Sequence, residues 1–193
     1  NNGTTLYKIG DVTNGTTVFT DNVSDATCAT GDELYTNGGI LENDAPPRAK
    51  YIHMCDKVMT YAHIKEGSEV QPNTYIVSSE DDPDSVPAAN RSTVEDTITG
   101  TSSAAGVRII LCQKHIYRSE GKFDDTGRGN LVDVRISDTA GCISNRSIVQ
   151  CQGRIFWAGN DGFYTTEGNQ VQKLTKHINT RYKLWRDNLS DTQ

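Results

Sequence analysis

The sequence predicts an all-β protein of short antiparallel strands with a short C-terminal helix, and three observations support this class. Hydrophobic residues make up only 35% of the 193 residues, whereas Gly, Thr, Ser, Asn and Asp are abundant, which favours short strands joined by turns. Three β-branched or aromatic runs within residues 147–166 are separated by Gly-containing turn dipeptides. Finally, residues 106–121 align with residues 153–168 without a gap.

The alignment of these two segments indicates an internal repeat. A weaker copy covers residues 50–80, in which residues 64–73 lengthen one hairpin, and residues 34–39 resemble the closing strand of an earlier copy. Repeats of about 40–50 residues built from short strands are typical of β-propeller blades. We therefore predict β-propeller-like repeats, with three to four blade-like modules that belong to a larger propeller. Chance similarity among β-hairpins is the alternative.

The predicted module boundaries follow this repeat. A first β module, complete or not, covers residues 1–44, and the two prolines at 46 and 47 hold the chain extended before the next one. The later modules are residues 45–98 with an acidic loop, residues 99–140, residues 141–172, and an amphipathic helix and tail at residues 173–193.

Each module should form an antiparallel sheet whose buried layer contains apolar residues from equivalent strands. The residues expected in these layers are Ile109, Ile110, Phe156, Trp157 and Phe163.

The predicted C-terminal helix combines an apolar face with basic residues. The apolar residues, spaced four, four and three apart, are Leu174, Ile178, Tyr182 and Trp185. The favoured interpretation is a helix that packs this face on the last module and leaves its charges in water. A basic surface for an acidic partner or nucleic acid is the alternative.

Charge and hydropathy argue against two classes of protein. A formal charge of −6 disfavours general nucleic-acid binding, which needs a basic face. No run approaches the roughly 18 apolar residues of a membrane-spanning helix. The chain begins with Asn1 rather than Met, so we expect a segment of a longer chain or a processed product.

The five cysteines contain no C-x-x-C pair, and the four histidines show no metal-ligand spacing relative to them. Small buried thiols in a reducing compartment are the favoured interpretation. A bridge between Cys142 and Cys151 is compatible with their spacing, and the sequence leaves this question open.

Motifs for catalysis and metal binding are missing from the sequence. There is no G-x-S-x-G elbow, no H-E-x-x-H helix and no phosphate-binding glycine loop. The acidic segment 80–90 carries enough carboxylates to bind a calcium ion. However, the spacing of these carboxylates is better explained by a solvated turn. We therefore predict a protein that is not an enzyme, with no catalytic residue, no metal and no cofactor.

Three segments carry a family resemblance. They are residues 73–87 (NTYIVSSEDDPDSVP), residues 107–121 and residues 141–168. Together they resemble the propeller-containing tubular tail, or nozzle, proteins of short-tailed bacteriophages. The resemblance implies a structural virion component of the tail, made in the host cytoplasm, that oligomerises around the DNA channel and passes DNA during ejection. The implied partners are copies of the same protein in a ring, other tail proteins, and DNA that passes without sequence-specific binding.

The sequence is compatible with two other functions. One is a receptor- or glycan-binding propeller module at a tail tip. The other is a glycosidase-like propeller enzyme, which would need carboxylates about 5–10 Å apart in a central cavity.

A ring requires two unlike patches on each subunit, and the chain offers two of opposite charge. We expect charge to select the register of assembly while apolar surface supplies most of the free energy. The acidic patch consists of Asp81, Asp82 and Asp84, and the basic patch of Lys173, Lys176, Arg181, Lys183 and Arg186.

Overall fold

The computed structural model describes residues 6–7, 9, 18, 20–28, 30, 33–34, 44–123 and 127–190, and it divides into two units, residues 1–41 and 42–193. In the first unit, strand β1 (Leu6–Tyr7) pairs antiparallel with β2 (Glu33–Leu34), and a short helix α1 (Asp25–Cys28) lies between them in the sequence. Apart from its first residue, the closing strand predicted at residues 34–39 lies outside the described residues.

The second unit contains three four-stranded antiparallel sheets, and in each sheet the strands neighbour one another in chain order. The first sheet consists of β3 (Arg48–Cys55), β4 (Val58–Glu66), β5 (Glu69–Val77) and β6 (Arg91–Thr93). The second consists of β7 (Ile98–Ala104), β8 (Val107–Cys112), β9 (Ile116–Phe123) and β10 (Gly129–Ser137). The third consists of β11 (Val149–Cys151), β12 (Arg154–Gly159), β13 (Gly162–Thr166) and β14 (Val171–Lys173). The chain is thus mostly β, and it ends in the short helix α2 (Asn179–Ser190).

The two gaplessly aligned segments begin with the same backbone turn. Ala105 and Gly106, which join β7 to β8, have φ of 49° and 80°, and Gln152 and Gly153, which join β11 to β12, have φ of 49° and 74°. Two consecutive residues with positive φ form the type I′ turn, whose twist matches that of the strands on either side. Equivalent positions of the repeat therefore produce equivalent hairpins.

The second sheet contributes to two cores because successive strand residues point to opposite faces. Ile110 on one face of β8 packs in the cluster with Tyr75 and Val77 of the first sheet. Its neighbour Ile109 packs on the other face, in the cluster with Trp157 of the third sheet. Both faces of the middle sheet are covered, so β7 is buried along its whole length.

The predicted buried layer is confirmed for three residues and wrong for one. Ile109, Ile110 and Trp157 are buried, and Phe156 is half-buried. Phe163 is 44% exposed, because it lies on the face of β13 that points away from the second sheet. The residue next to it, Tyr164, occupies the buried face and stacks on Trp157 with ring centroids 5.9 Å apart.

The C-terminal helix begins later than predicted, at Asn179 rather than near Lys173. Lys173 pairs with Tyr164 of β13, so the sheet takes up the first residue of the predicted helical segment, and a turn lies between it and Asn179. Of the predicted apolar face, Tyr182 is buried and donates a hydrogen bond to Gly159 O at 2.7 Å. The other three residues are exposed, namely Leu174, Ile178 and Trp185.

All five cysteines are free, so Cys142 and Cys151 are not bridged. Cys142 is buried and Cys151 is exposed at the end of β11. No helix in the described part of the chain is long and apolar enough to cross a lipid bilayer.

Candidate functional site

A cavity of about 500 Å³ lies between the first and second sheets. It is lined by the β3–β4 turn with Asp56 and Lys57, by Gly106 of the β7–β8 turn, and by residues 119–123 of β9. Arg108 of β8 also contributes to its wall. The cavity therefore combines backbone turns, which leave room for a ligand, with a charged side chain from the sheet interior.

In the described part of the chain, Arg108 is a buried cation without an ion-pair partner. Only 5% of the residue is exposed, and its Nε donates a hydrogen bond to Thr60 Oγ1 at 2.7 Å. Within the described residues, no carboxylate lies within ion-pairing distance of its guanidinium. Burial lowers the pKa of Arg108, yet an arginine remains charged at neutral pH. Burial also raises the pKa of Cys55, so this neighbouring thiol is neutral and supplies no counter-charge.

A hydrogen-bond network fixes the polar wall next to Arg108. Ser119 is directly opposite Arg108 in the β8–β9 ladder, and its Oγ lies 2.6 Å from Tyr75 Oη. Tyr75 donates to Asp133 Oδ1 at 2.5 Å, and Ser92 donates to the other carboxylate oxygen. Burial and the Asp133 charge raise the pKa of Tyr75 well above its ordinary value, so its hydroxyl stays a donor. The network thereby ties the first sheet to the second.

Three other charged groups at the cavity, Lys57, Glu80 and Glu120, are exposed and already paired. Lys57 Nζ lies 2.8 Å from Asp81 Oδ2 and 3.6 Å from Glu80 Oε1. Glu120 Oε2 lies 3.2 Å from Arg118 Nη2. Exposed pairs of this kind contribute under about 1 kcal/mol, so they adjust readily when a ligand arrives.

The acidic residues of the predicted interface lie together on the loop after β5. Asp81, Asp82 and Asp84 are all exposed. Asp81, with φ of 61°, pairs with Lys57 of its own chain, and Asp82 Oδ1 accepts a hydrogen bond from Asp84 N at 3.2 Å. These contacts stabilise a tight turn. Among the described residues there is no group of three or more His, Cys, Asp or Glu residues arranged to hold a metal ion.

The basic residues of the predicted interface divide into two kinds. Lys173 Nζ lies 2.5 Å from Asp161 Oδ2, and Arg186 donates hydrogen bonds to Asn160 O and Asp187. These two side chains are therefore anchored on their own module. The other three are exposed, with no partner among the described residues, namely Lys176, Arg181 and Lys183.

The first strands of the three sheets meet through one serine. Ser103 Oγ of β7 lies 3.0 Å from His53 Nε2 of β3 and accepts a hydrogen bond from Gln150 Nε2 of β11 at 3.3 Å. β7 also contacts β4 and β5 of the first sheet and β12 of the third. The sheets therefore converge at their first strands.

His53 makes stability depend on pH. Burial and the positive charge of Arg108 lower its pKa below the ordinary value of about 6.5. The unfolded chain therefore takes up a proton that the folded chain resists, and stability falls as the pH drops through about 6.5. We expect His53→Gln, which keeps a polar group beside Ser103, to flatten the decline of Tm between pH 7 and 5.

The exposed His177 is the matched control for this measurement, because His177→Gln should leave the acid decline of Tm unchanged. Equal slopes for the wild type and both variants would show that the fold does not hold His53 neutral.

Sequence reasoning missed Arg108, although the repeat contained a signal. In the gapless alignment Arg108 coincides with Ile155, which is fully buried in the third sheet. A charged residue in place of a core isoleucine indicates a position used for something other than packing. Tyr75 and Asp133 gave no such signal, since their contact depends on how two separate sheets pack.

Comparison with known proteins found no match, because no protein-family model and no curated protein matches the chain.

Proposed function

We propose that this chain is a structural, non-enzymatic component of a bacteriophage tail, which forms part of a β-propeller and oligomerises around the DNA channel. The observation that carries the proposal is the set of three four-stranded meanders whose first strands converge, as the blades of a propeller do. The resemblance of residues 73–87, 107–121 and 141–168 to nozzle proteins supplies the biological setting.

The outward faces of the first and third sheets support an assembly with further blades or further copies. On β3, Ile52 and Met54 are 58% and 50% exposed, on the face opposite to the second sheet. On the third sheet, Val149 and Phe163 are exposed on the corresponding outward face. Apolar residues grouped in this way mark surfaces that another protein element covers.

The charge distribution supports a role as a conduit for DNA. A net charge of −6 and an exposed acidic loop repel the phosphate backbone, so DNA can pass without being held. The copies of the protein then contact each other through apolar surface, while Lys176, Arg181 and Lys183 face acidic loops of a neighbour.

This interface is tested by reversing two lysines that have no partner among the residues that the structure describes. We expect Lys176→Glu combined with Lys183→Glu to slow ring assembly of the intact tail protein at low salt, while the Tm of the subunit stays unchanged. The control is Lys65→Glu combined with Lys114→Glu, which makes the same change of charge on the exposed surface elsewhere. Sedimentation velocity and light scattering follow the assembly. Normal assembly of the first variant, or equal slowing of both, contradicts the interface.

The cavity favours a second candidate, a glycan- or receptor-binding module at a tail tip. Its wall combines Arg108 with the carboxylates of Asp56, Glu80 and Glu120, groups that can bind a hydroxylated anion. The same carboxylates define the test for a glycosidase: sugar release that Glu80→Gln or Glu120→Gln abolishes would replace the structural proposal with an enzymatic one.

A further inference from the structure

We propose that the cavity between the first and second sheets binds a small hydroxylated anion, a sugar acid or sugar phosphate, whose carboxylate or phosphate oxygens pair with the guanidinium of Arg108. This inference is independent of the proposed role in a tail, because it depends only on the chemistry of the cavity.

The charge of Arg108 is not balanced by an anion within the described residues. A buried cation costs free energy unless an anion or several acceptors compensate it. In the described residues only Thr60 accepts a hydrogen bond from this side chain, through Nε, and the two Nη groups have no such partner. Asp133 acts on Arg108 only through space, since its carboxylate accepts hydrogen bonds from Tyr75 and Ser92. An oxyanion from outside the chain supplies the missing partner.

The fold does not require a charge at this position. The repeat places Ile155 at the equivalent point of β12, where an apolar side chain fills the core. In the second sheet this position instead borders a cavity. Arg108 is therefore best explained by what enters the cavity, not by the packing of a blade.

The geometry of the Arg108 guanidinium suits an oxyanion. The two Nη groups of an arginine form a planar fork that matches two oxygens of a carboxylate or phosphate. Thr60 holds the Nε edge of the guanidinium, and Ser119 is fixed opposite Arg108 by Tyr75. The fork is thus positioned before a ligand binds, which reduces the entropy cost of binding.

The size of the cavity and its other lining residues indicate what the rest of the ligand is. The cavity, at about 500 Å³, falls within the range of about 300–1,000 Å³ that is usual for small-molecule sites. Asp56, Glu80 and Glu120 can accept hydrogen bonds from hydroxyl groups, and the Phe123 ring offers an apolar surface to the C–H face of a sugar. The same carboxylates repel extended polyanions, so a monosaccharide with one acidic group fits better than a nucleic-acid strand.

Isothermal titration calorimetry with four probes tests the proposal: glucuronate, glucose 6-phosphate, neutral glucose and inorganic phosphate. We expect at least one acidic sugar to bind ten-fold or more tightly than glucose and than inorganic phosphate. Arg108→Met should remove at least ten-fold of that affinity, and Arg108→Lys, which keeps the charge but loses the fork, should fall between. Lys65→Met, which removes an exposed positive charge of β4 outside the cavity lining, is the control and should change the affinity less than three-fold.

Several results of this titration would contradict the proposed site. Equal binding of glucose and the acidic sugars, no binding of any probe, or unchanged binding by Arg108→Met overturns the site. If inorganic phosphate and glucose 6-phosphate bind with equal affinity, the sugar contributes nothing to binding, and the proposal that the ligand is a sugar is wrong. Thermal unfolding without ligand gives an independent readout, since removing an unpaired buried charge should leave the Tm of Arg108→Met equal to or above that of the wild type. A large drop in this Tm would show that the arginine serves the fold.

Discussion

Replacing Trp157 with alanine is expected to lower the free energy of unfolding by about 3–5 kcal/mol, the range for truncating a large aromatic core residue. Only 1% of Trp157 is exposed, and its Nε1 donates a hydrogen bond to Ala140 O at 3.0 Å. Its ring stacks on Tyr164 between the second and third sheets. The substitution therefore opens a cavity and also leaves a buried carbonyl without its donor.

The chain contains its own control for this experiment, since Trp185 on α2 is 52% exposed. Trp185→Ala should change the free energy of unfolding by less than about 0.5 kcal/mol. Urea unfolding followed by circular dichroism measures both variants without depending on tryptophan fluorescence. Similar losses for the two variants would mean that Trp157 is not a core residue.

Replacing Gly141 with alanine is expected to cost about 3 kcal/mol or more, at the upper end of the range for overpacking. Gly141 lies where the chain leaves the second sheet for the third, next to the hydrogen bond from Cys142 N to Cys112 O at 2.8 Å. A Cβ at this position would lie 1.9 Å from Gln113 O and 2.4 Å from Gln113 C. Because both atoms belong to the backbone, no side-chain rotation can relieve the clash.

Gly67→Ala is the comparison for Gly141→Ala. Gly67 has φ of 57°, and a Cβ there would meet nothing within 4 Å. The Gly67→Ala variant therefore measures only the cost of a left-handed alanine, about 1–2 kcal/mol in the free energy of unfolding. Thermal and urea unfolding should rank Gly141→Ala as clearly the more damaging. A milder effect at Gly141 than at Gly67 would mean that the two sheets are not joined as closely as described.

The strands of the repeat could be predicted because their signals are local. The β7–β8 and β11–β12 hairpins are indicated by two local features. Each has a Gly at the second position of a two-residue turn and β-branched residues on either side. Which face of a strand is buried was harder to predict. Ile116 and Phe163 are equivalent in the alignment, yet Ile116 is fully buried and Phe163 is exposed. The difference arises because the second sheet has neighbours on both faces, and no local pattern reports how many neighbours a sheet has.

The same limit explains the C-terminal segment. Leu174, Ile178, Tyr182 and Trp185 do have helical spacing, but spacing cannot say whether a strand will extend into the segment or whether a partner covers it. β14 pairs with β13 as far as Lys173, a turn follows, and the helix begins at Asn179. Of the four apolar residues only Tyr182 is buried. The exposed apolar residues that remain are consistent with a surface that other parts of an assembly cover.

The cavity could not be predicted at all, because its residues come from distant parts of the chain. Asp56 and Glu80 follow strands β3 and β5 of the first sheet, whereas Arg108 and Glu120 belong to β8 and β9 of the second, and they meet only when those sheets pack. The substitution of Arg108 for a core isoleucine was the single sequence feature that pointed to this place.

Electron cryomicroscopy of the intact protein in its native assembly shows whether copies of this protein surround a DNA channel. We expect a ring with an axial channel wide enough for duplex DNA, in which further blades or neighbouring copies cover Ile52 and Met54 on the first sheet and Val149 and Phe163 on the third. A monomer in which these four residues remain exposed to solvent, or a ring whose axis is closed by side chains, would contradict the proposed role as a tail component.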